Sequence, residues 1–245
     1  MLPLSYFDRY WPALTALPTL PVGERYSRSQ LLSNAFRIFA ASGLGVFYAP
    51  FHHLGSSARV ALVGLTPGFT QMENAFRAAK DGHRLGLSGA GLFAHIDAAG
   101  SFSGPLRRNL VRMLDDIGLN RHLGILTCGD LFTGAHAMVH FTSAVSAPIF
   151  KGEQNYDGSL LRVPLLREWV TQNFAAELRA LPNAIIIPLG KHAGDAVELL
   201  RTQGAVDAQR CLAKFPHPSP ANGHLKPLFE LGRKRWRDQI TRFET

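Results

Sequence analysis

At 245 residues, 46% of them hydrophobic, the chain has the material for a sizeable core and the length of one α/β domain. Only 18% of residues are charged and no apolar run reaches about 18 residues, which argues against a disordered chain and against a membrane span. Lys and Arg outnumber Asp and Glu by 26 to 18, a formal charge of +8 that favours polyanionic partners without choosing among DNA, RNA and acidic membranes.

Asp8 and Arg9 interrupt the N-terminus where a secretory leader needs an apolar run, so an intracellular, cytoplasmic place is expected. Prolines punctuate the first 24 residues and predict a short helix near 4–16 followed by an irregular connection. Ser27 is a candidate cap for a helix running to about Ala41, with Leu31, Leu32, Ala35, Phe36 and Phe39 on one stripe. Residues 1–56 thus read as a helical extension packed on a single domain spanning 1–245. Arg59–Thr66 (RVALVGLT) is a strand ending in the turn Pro67-Gly68. The Gly-rich segment Phe69–Gly100 is expected to be partly helical, about 71–80, and to lie over a cleft.

Pro105 opens a helix with Leu106, Leu110, Met113, Leu114 and Ile117 on one face, stopped by Gly118. His122–Cys128 (HLGILTC) reads as a second strand. An ambiguous stretch, 129–163, ends in the loop KGEQNYDGS. A helix over about 164–180 leads to a third strand, Asn183–Leu189, and Gly190-Lys191-His192 turns into a helix over about 193–203. A short fourth strand near 211–215 runs into HPSPANGH, and a basic helix follows at about 225–242. Alternating strands and helices predict a three-layer α/β/α fold around a central, mostly parallel four-stranded sheet.

In such sheets ligands bind at the carboxyl ends of the strands, where GLTPG (Gly64–Gly68) and HPSPANGH (His217–His224) both emerge. Pro218 and Pro220 stiffen the second loop and restrict His217 and Ser219, as a preorganised site requires. The two cysteines, Cys128 and Cys211, sit in apolar surroundings and read as buried, reduced thiols. They are too few for a four-thiolate metal or iron–sulfur site, and neither His52-His53 nor His192 has a partner at metal-ligand spacing. No metal and no cofactor are expected.

Gly64-Leu65-Thr66-Pro67-Gly68 and His217-Pro218-Ser219-Pro220 resemble, in order, the first and last motifs of the uracil-DNA glycosylase superfamily. Between them Ala99–Leu119 is similar to the segment carrying a base-stacking aromatic, and Leu181–Val197 to a later strand–Leu-Gly–helix unit. The resemblance covers about 59–225. It implies a DNA glycosylase that flips uracil, or a related deaminated base, out of single- or double-stranded DNA and hydrolyses its N-glycosidic bond. It also implies a nucleoid-associated, bacterial-type protein without an obligate protein partner. His217 would donate to the base carbonyl oxygen as charge develops there. Phe102 would stack on the base, and Gly64, Leu65, Pro67 and Gly68 would line the pocket. Thr127 or Asn155 would read the base edge. Ser219, Asn222, Leu225, Arg107 and Arg108 would contact DNA, with Leu225 or His224 the candidate wedge.

The chain also departs from the superfamily pattern. Thr66 stands where Asp serves in the most active families; its hydroxyl can orient a water but cannot act as a general base at neutral pH. Glu73 and Asp81 are candidates to replace that carboxylate, against a plainer reading as solvated helix charges. Gly68 stands where some families place Tyr to reject thymine. Lys226, Arg233, Lys234, Arg235 and Arg237 give the last helix a basic face that could clamp phosphates or simply be solvated. Two other readings stay open: a protein that binds uracil or abasic sites without turnover, and a small-molecule α/β hydrolase, although GLSGA (Gly86–Ala90) lacks the nucleophile elbow.

Overall fold

A computed structural model describes residues 4–21, 23–52 and 55–243, so of the pair His52-His53 only His52 is described. The elements in chain order are α1 (Leu4–Thr15), α2 (Arg28–Leu31), β1 (Arg37–Ala41), β2 (Leu44–Phe47), β3 (Val60–Gly64), α3 (Phe69–Arg84), α4 (Gly89–Gly100), α5 (Pro105–Asp116) and α6 (Leu119–Leu123). There follow β4 (Val139–Ser143), β5 (Ile149–Lys151), β6 (Gln154–Asn155), α7 (Pro164–Trp169), α8 (Ala175–Arg179), β7 (Ile185–Pro188), α9 (Lys191–Thr202) and α10 (Leu225–Arg242). The chain divides into two compact units, each drawn from three segments: 1–54, 66–101 and 145–174 in the first; 55–65, 102–144 and 175–245 in the second. Among the described residues no helix is long and apolar enough to cross a membrane.

The second unit is built on a parallel sheet ordered β4-β3-β7. Side chains alternate across a strand, so Val60, Leu62, Val139, Phe141, Ile185 and Ile187 share one face, where they pack with Leu110 and Leu114 of α5, Leu119 of α6 and Trp236 of α10. On the other face His140 and Thr142 of β4 both bond Glu177 of α8, His140 Nε2 at 2.7 Å, with His140 and Glu177 buried and Thr142 half-buried. Helices therefore cover both faces, and the α/β layering predicted from the alternation holds.

The strand count differs. Near 211–215 there are only two isolated parallel bridges, Ile186 to Cys211 and Leu189 to Phe215. Between them Lys214 adopts φ +59°, which breaks a ladder, so the fourth strand is interrupted. The predicted strand His122–Cys128 is absent as well. Gly118 and Gly124, at φ +84° and +72°, begin and end the short helix α6, and Thr127 then caps a 3-10 turn over Cys128–Phe132. Its place in the sheet is taken by β4, from the stretch that periodicity left ambiguous.

The first unit holds an antiparallel sheet ordered β1-β2-β5-β6. Ser27 does cap a helix, accepting from the Gln30 N–H, but the helix stops at Leu31 and does not reach Ala41. Ser42 and Gly43, at φ +54° and +74°, form a two-residue turn that joins β1 to β2 as a hairpin. The 69–100 segment is two helices, and Met72, Phe76, Ala79, Leu92 and Ile96 from them form much of that unit's core with Tyr10, Phe36, Tyr48 and Phe150. Glu73 is buried rather than solvated: its carboxylate accepts from Arg77 Nε at 2.7 Å and from the Tyr26 N–H at 3.3 Å, and pairs with Arg25 at 3.3 Å. Asp81 stays at the surface, paired with Arg84.

Candidate active site

The parallel strands of the second unit end together. Ser143 pairs with Gly64, the Leu189 N–H donates to the Val63 carbonyl at 2.8 Å, and the Gly190 N–H donates to the Phe215 carbonyl at 2.9 Å. One row of backbone thus carries Ser143, Gly64 and Gly190, with His217 two residues beyond Phe215. A Cβ on Gly64 would lie 3.1 Å from Ser143 Oγ and 3.8 Å from the Phe102 ring, so glycine there lets three chain segments converge. Ser143 was not anticipated as a site residue, because its strand was not.

His217 is held from three sides. Its Nδ1 accepts the Ser219 N–H at 3.2 Å, its carbonyl accepts from Asn222 Nδ2 at 3.0 Å, and the Pro218 carbonyl accepts from Asn109 Nδ2 at 3.0 Å. Burial holds its pKa below the ordinary histidine value. A neutral imidazole with Nδ1 used as acceptor carries its proton on Nε2, which makes that nitrogen a donor. Within the loop the Ala221 N–H donates to Ser219 Oγ and the His224 N–H to Asn222 Oδ1, so both side chains brace the loop. A groove of about 990 Å³ opens beside His217, with Gly190, Lys191, Pro216, Asn222 and Leu228 in its wall.

Phe102 is buried and its backbone has φ +44°, unusual for a residue with a Cβ. Arg107 Nε donates to the Phe102 carbonyl at 3.0 Å, and its guanidinium lies 4.4 Å from the Phe132 ring centroid. Arg108, one residue on, is exposed.

A family model described as the uracil DNA glycosylase superfamily matches residues 51–239, more than three quarters of the chain and both loops. The chain belongs to the uracil DNA glycosylase superfamily. It is 34% identical over 222 residues to the uncharacterized protein YoxB of Bacillus subtilis (strain 168), covering 89% of this chain and 87% of that one. No solved structure matches. Membership in the superfamily brings with it, at the level of the family, DNA repair through cleavage of N-glycosidic bonds.

The GLTPG segment is divided between the units, Gly64 and Leu65 in the second and Thr66–Gly68 in the first. In the first unit Thr66 Oγ1 donates to the Ala147 carbonyl at 2.7 Å, which commits its proton and leaves a lone pair. Gly68 caps α3, and Asn155 of the β5–β6 hairpin stands against it. Asn155 Oδ1 accepts the Phe69 N–H at 3.0 Å, and a Cβ on Gly68 would meet Asn155 Nδ2 at 3.2 Å. Asn155 and Gly68, far apart in sequence, are thus brought together.

Thr127 is not brought to the sheet edge that carries Gly64. Its hydroxyl donates to Asp115 Oδ2 at 2.6 Å and accepts the Gly129 N–H at 3.2 Å. Arg59, at the amino end of β3, donates to the carbonyls of His122 and Leu123, which ties the segment leading to Thr127 to the opposite edge. Leu225, the first residue of α10, is half-buried against the core. Within α10, Arg233 and Arg237 pair with Asp116, while Arg235 donates to the Ala213 carbonyl. These three bind protein, whereas Lys226 and Lys234 are exposed. Cys128 and Cys211 are both free thiols and both buried.

Proposed function

We propose that the protein is a monofunctional DNA glycosylase that excises uracil, or a related deaminated base, from DNA. The observation that carries this reading is the Ser219 N–H on His217 Nδ1, which leaves Nε2–H as a fixed donor beside the carboxyl edge of the sheet. In the reaction the bond between C1′ of the sugar and the base nitrogen breaks, and its electron pair moves onto the base. His217 Nε2–H stabilises the charge that develops on the carbonyl oxygen, while water supplies hydroxide to C1′ and a proton to solvent. A donor aimed at developing charge contributes about 10²–10³ in rate.

Phe102 stacks on the base; Gly64, Leu65, Pro67 and Gly68 line its pocket with small or backbone groups. Ser143 offers a polar side chain for its edge, the part expected of Thr127 or Asn155. Thr66 accepts a hydrogen bond from the attacking water through its remaining lone pair. Arg108, Ser219, Asn222 and Leu225 face the DNA. No amine nucleophile lies in these motifs, so the product is an abasic site left uncut.

The test is release of uracil from end-labelled oligonucleotides, single-stranded or with uracil opposite G or A, followed by alkaline cleavage. Release should fall by about 10²–10³ in His217→Ala while DNA affinity changes little. An equal rate in that variant removes His217 from the mechanism. The commitment of the Thr66 proton to Ala147, with no carboxylate at that position, favours one second reading: a protein that holds uracil or abasic DNA without turnover. Tight, salt-sensitive binding without released base would select it.

A further inference from the structure

At Phe102, a residue with a Cβ, φ is +44°, a strained conformation that persists only where neighbours impose it. At Phe102 the neighbours form a closed circuit. Arg107 Nε holds the carbonyl; the Arg107 guanidinium covers Phe132; Phe132 stacks on Phe141 at 4.7 Å and 22°; and Phe141 meets the Phe102 ring at 5.8 Å. Arg107 sits in the first turn of α5, behind Gly104 at φ +69°, and so reaches back over the turn to Phe102. This use of the guanidinium competes with service as a phosphate clamp.

We propose that Arg107 is a positioning residue, which fixes the plane of the Phe102 ring at the carboxyl edge of the sheet by holding its backbone carbonyl and covering Phe132. The proposal rests on the reading of Phe102 as the base-stacking residue. The side chain has to be arginine because two demands meet in it: a donor for the carbonyl and a flat cationic face for the ring. Lysine meets the first at best. A misplaced stacking ring costs rate more than affinity, because positioning matters most where the bond breaks.

The experiment measures single-turnover excision and DNA affinity for Arg107→Met and Arg107→Lys, each alone and combined with Phe102→Gly, on single-stranded uracil DNA at several salt concentrations. Arg107→Met should lower the rate at saturating enzyme by about 10- to 100-fold, with affinity and its salt slope unchanged. Arg107→Lys should fall between, and Arg107→Met should add nothing once Phe102 is Gly. A salt slope reduced by about 1, with the saturated rate intact, would mark a phosphate contact and overturn the proposal. So would an equal rate loss in the Phe102→Gly background. If the unmodified protein releases no uracil, the glycosylase reading fails separately, and the coupling is read from melting temperatures. A shift from Arg107→Met that vanishes with Phe102→Gly then supports the positional link, and additive shifts overturn it.

Discussion

Gly190 lies against His217 so closely that a Cβ on the glycine would come within 2.9 Å of the His217 Cβ. Gly190 also has φ +89°, so a side chain there meets both a strained backbone and the loop that carries the histidine. Gly190→Ala should displace His217, lower uracil excision at least about tenfold and destabilise the fold by about 1–2 kcal/mol. Rate and chemical denaturation measured together check this; an unchanged rate would mean that the position of His217 is not critical.

The acid limb of the pH profile tests the His217 tautomer. Its folded pKa is below the ordinary 6.5 because burial disfavours the imidazolium. The unfolded chain therefore takes up the proton first as pH falls, and the neutral imidazole and its Ser219 contact are lost only below 6.5. Excision should be flat from about pH 8 down to 6.5 and decline only beneath it. That limb should disappear from the residual activity of His217→Ala. A midpoint above 6.5 that depends on His217 contradicts the arrangement.

Glu73 answers to stability rather than to chemistry. Removing it leaves Arg25, Arg77 and the Tyr26 N–H without their shared acceptor. Truncation to Ala should cost about 1–3 kcal/mol in urea or guanidinium unfolding, because the buried Tyr26 N–H is left unsatisfied while both arginines can turn to solvent. A catalytic Glu73 would instead show normal stability with lost excision.

Thr66 divides into two functions that substitutions separate. Thr66→Ser keeps the donor to the Ala147 carbonyl and the lone pair, and should retain most activity. Thr66→Val keeps the shape but leaves Ala147 unpaired, which should cost about 1–2 kcal/mol. Its excision rate should drop about tenfold, well short of the His217→Ala loss. Full activity in Thr66→Val would leave the water to another group.

The edge that carries the candidate site was legible because two loop chemistries, GLTPG and HPSP, follow apolar strands and the alternation of elements sends both to the same side. The middle of the sheet was less so. The strand β4 carries buried His140 and half-buried Thr142, and only their bonds to Glu177, distant in sequence, explain why polar side chains stand there. HLGILTC has the composition of a strand, but Gly118 and Gly124 impose left-handed backbone that ends it as one. Ser143 therefore went unnoticed as a candidate, and the base edge was assigned to Thr127 or Asn155. The Ser42-Gly43 turn was a readable hairpin signal, outweighed by an apolar stripe that suited a helix equally well.

The interrupted fourth strand has a mechanical consequence. Residues 211–215 touch the sheet at two bridges only, and the carbonyls of Cys211 and Ala213 are held from the other side by Gln239, Arg235 and Trp236 of the last helix. That helix buttresses the segment from which the histidine loop hangs, doing the job of an absent neighbouring ladder. Warming or proteolysis that loosens the tail should therefore silence the protein while most of its secondary structure persists, because local opening precedes global unfolding where support is thinnest. Loss of function is then expected to precede loss of fold.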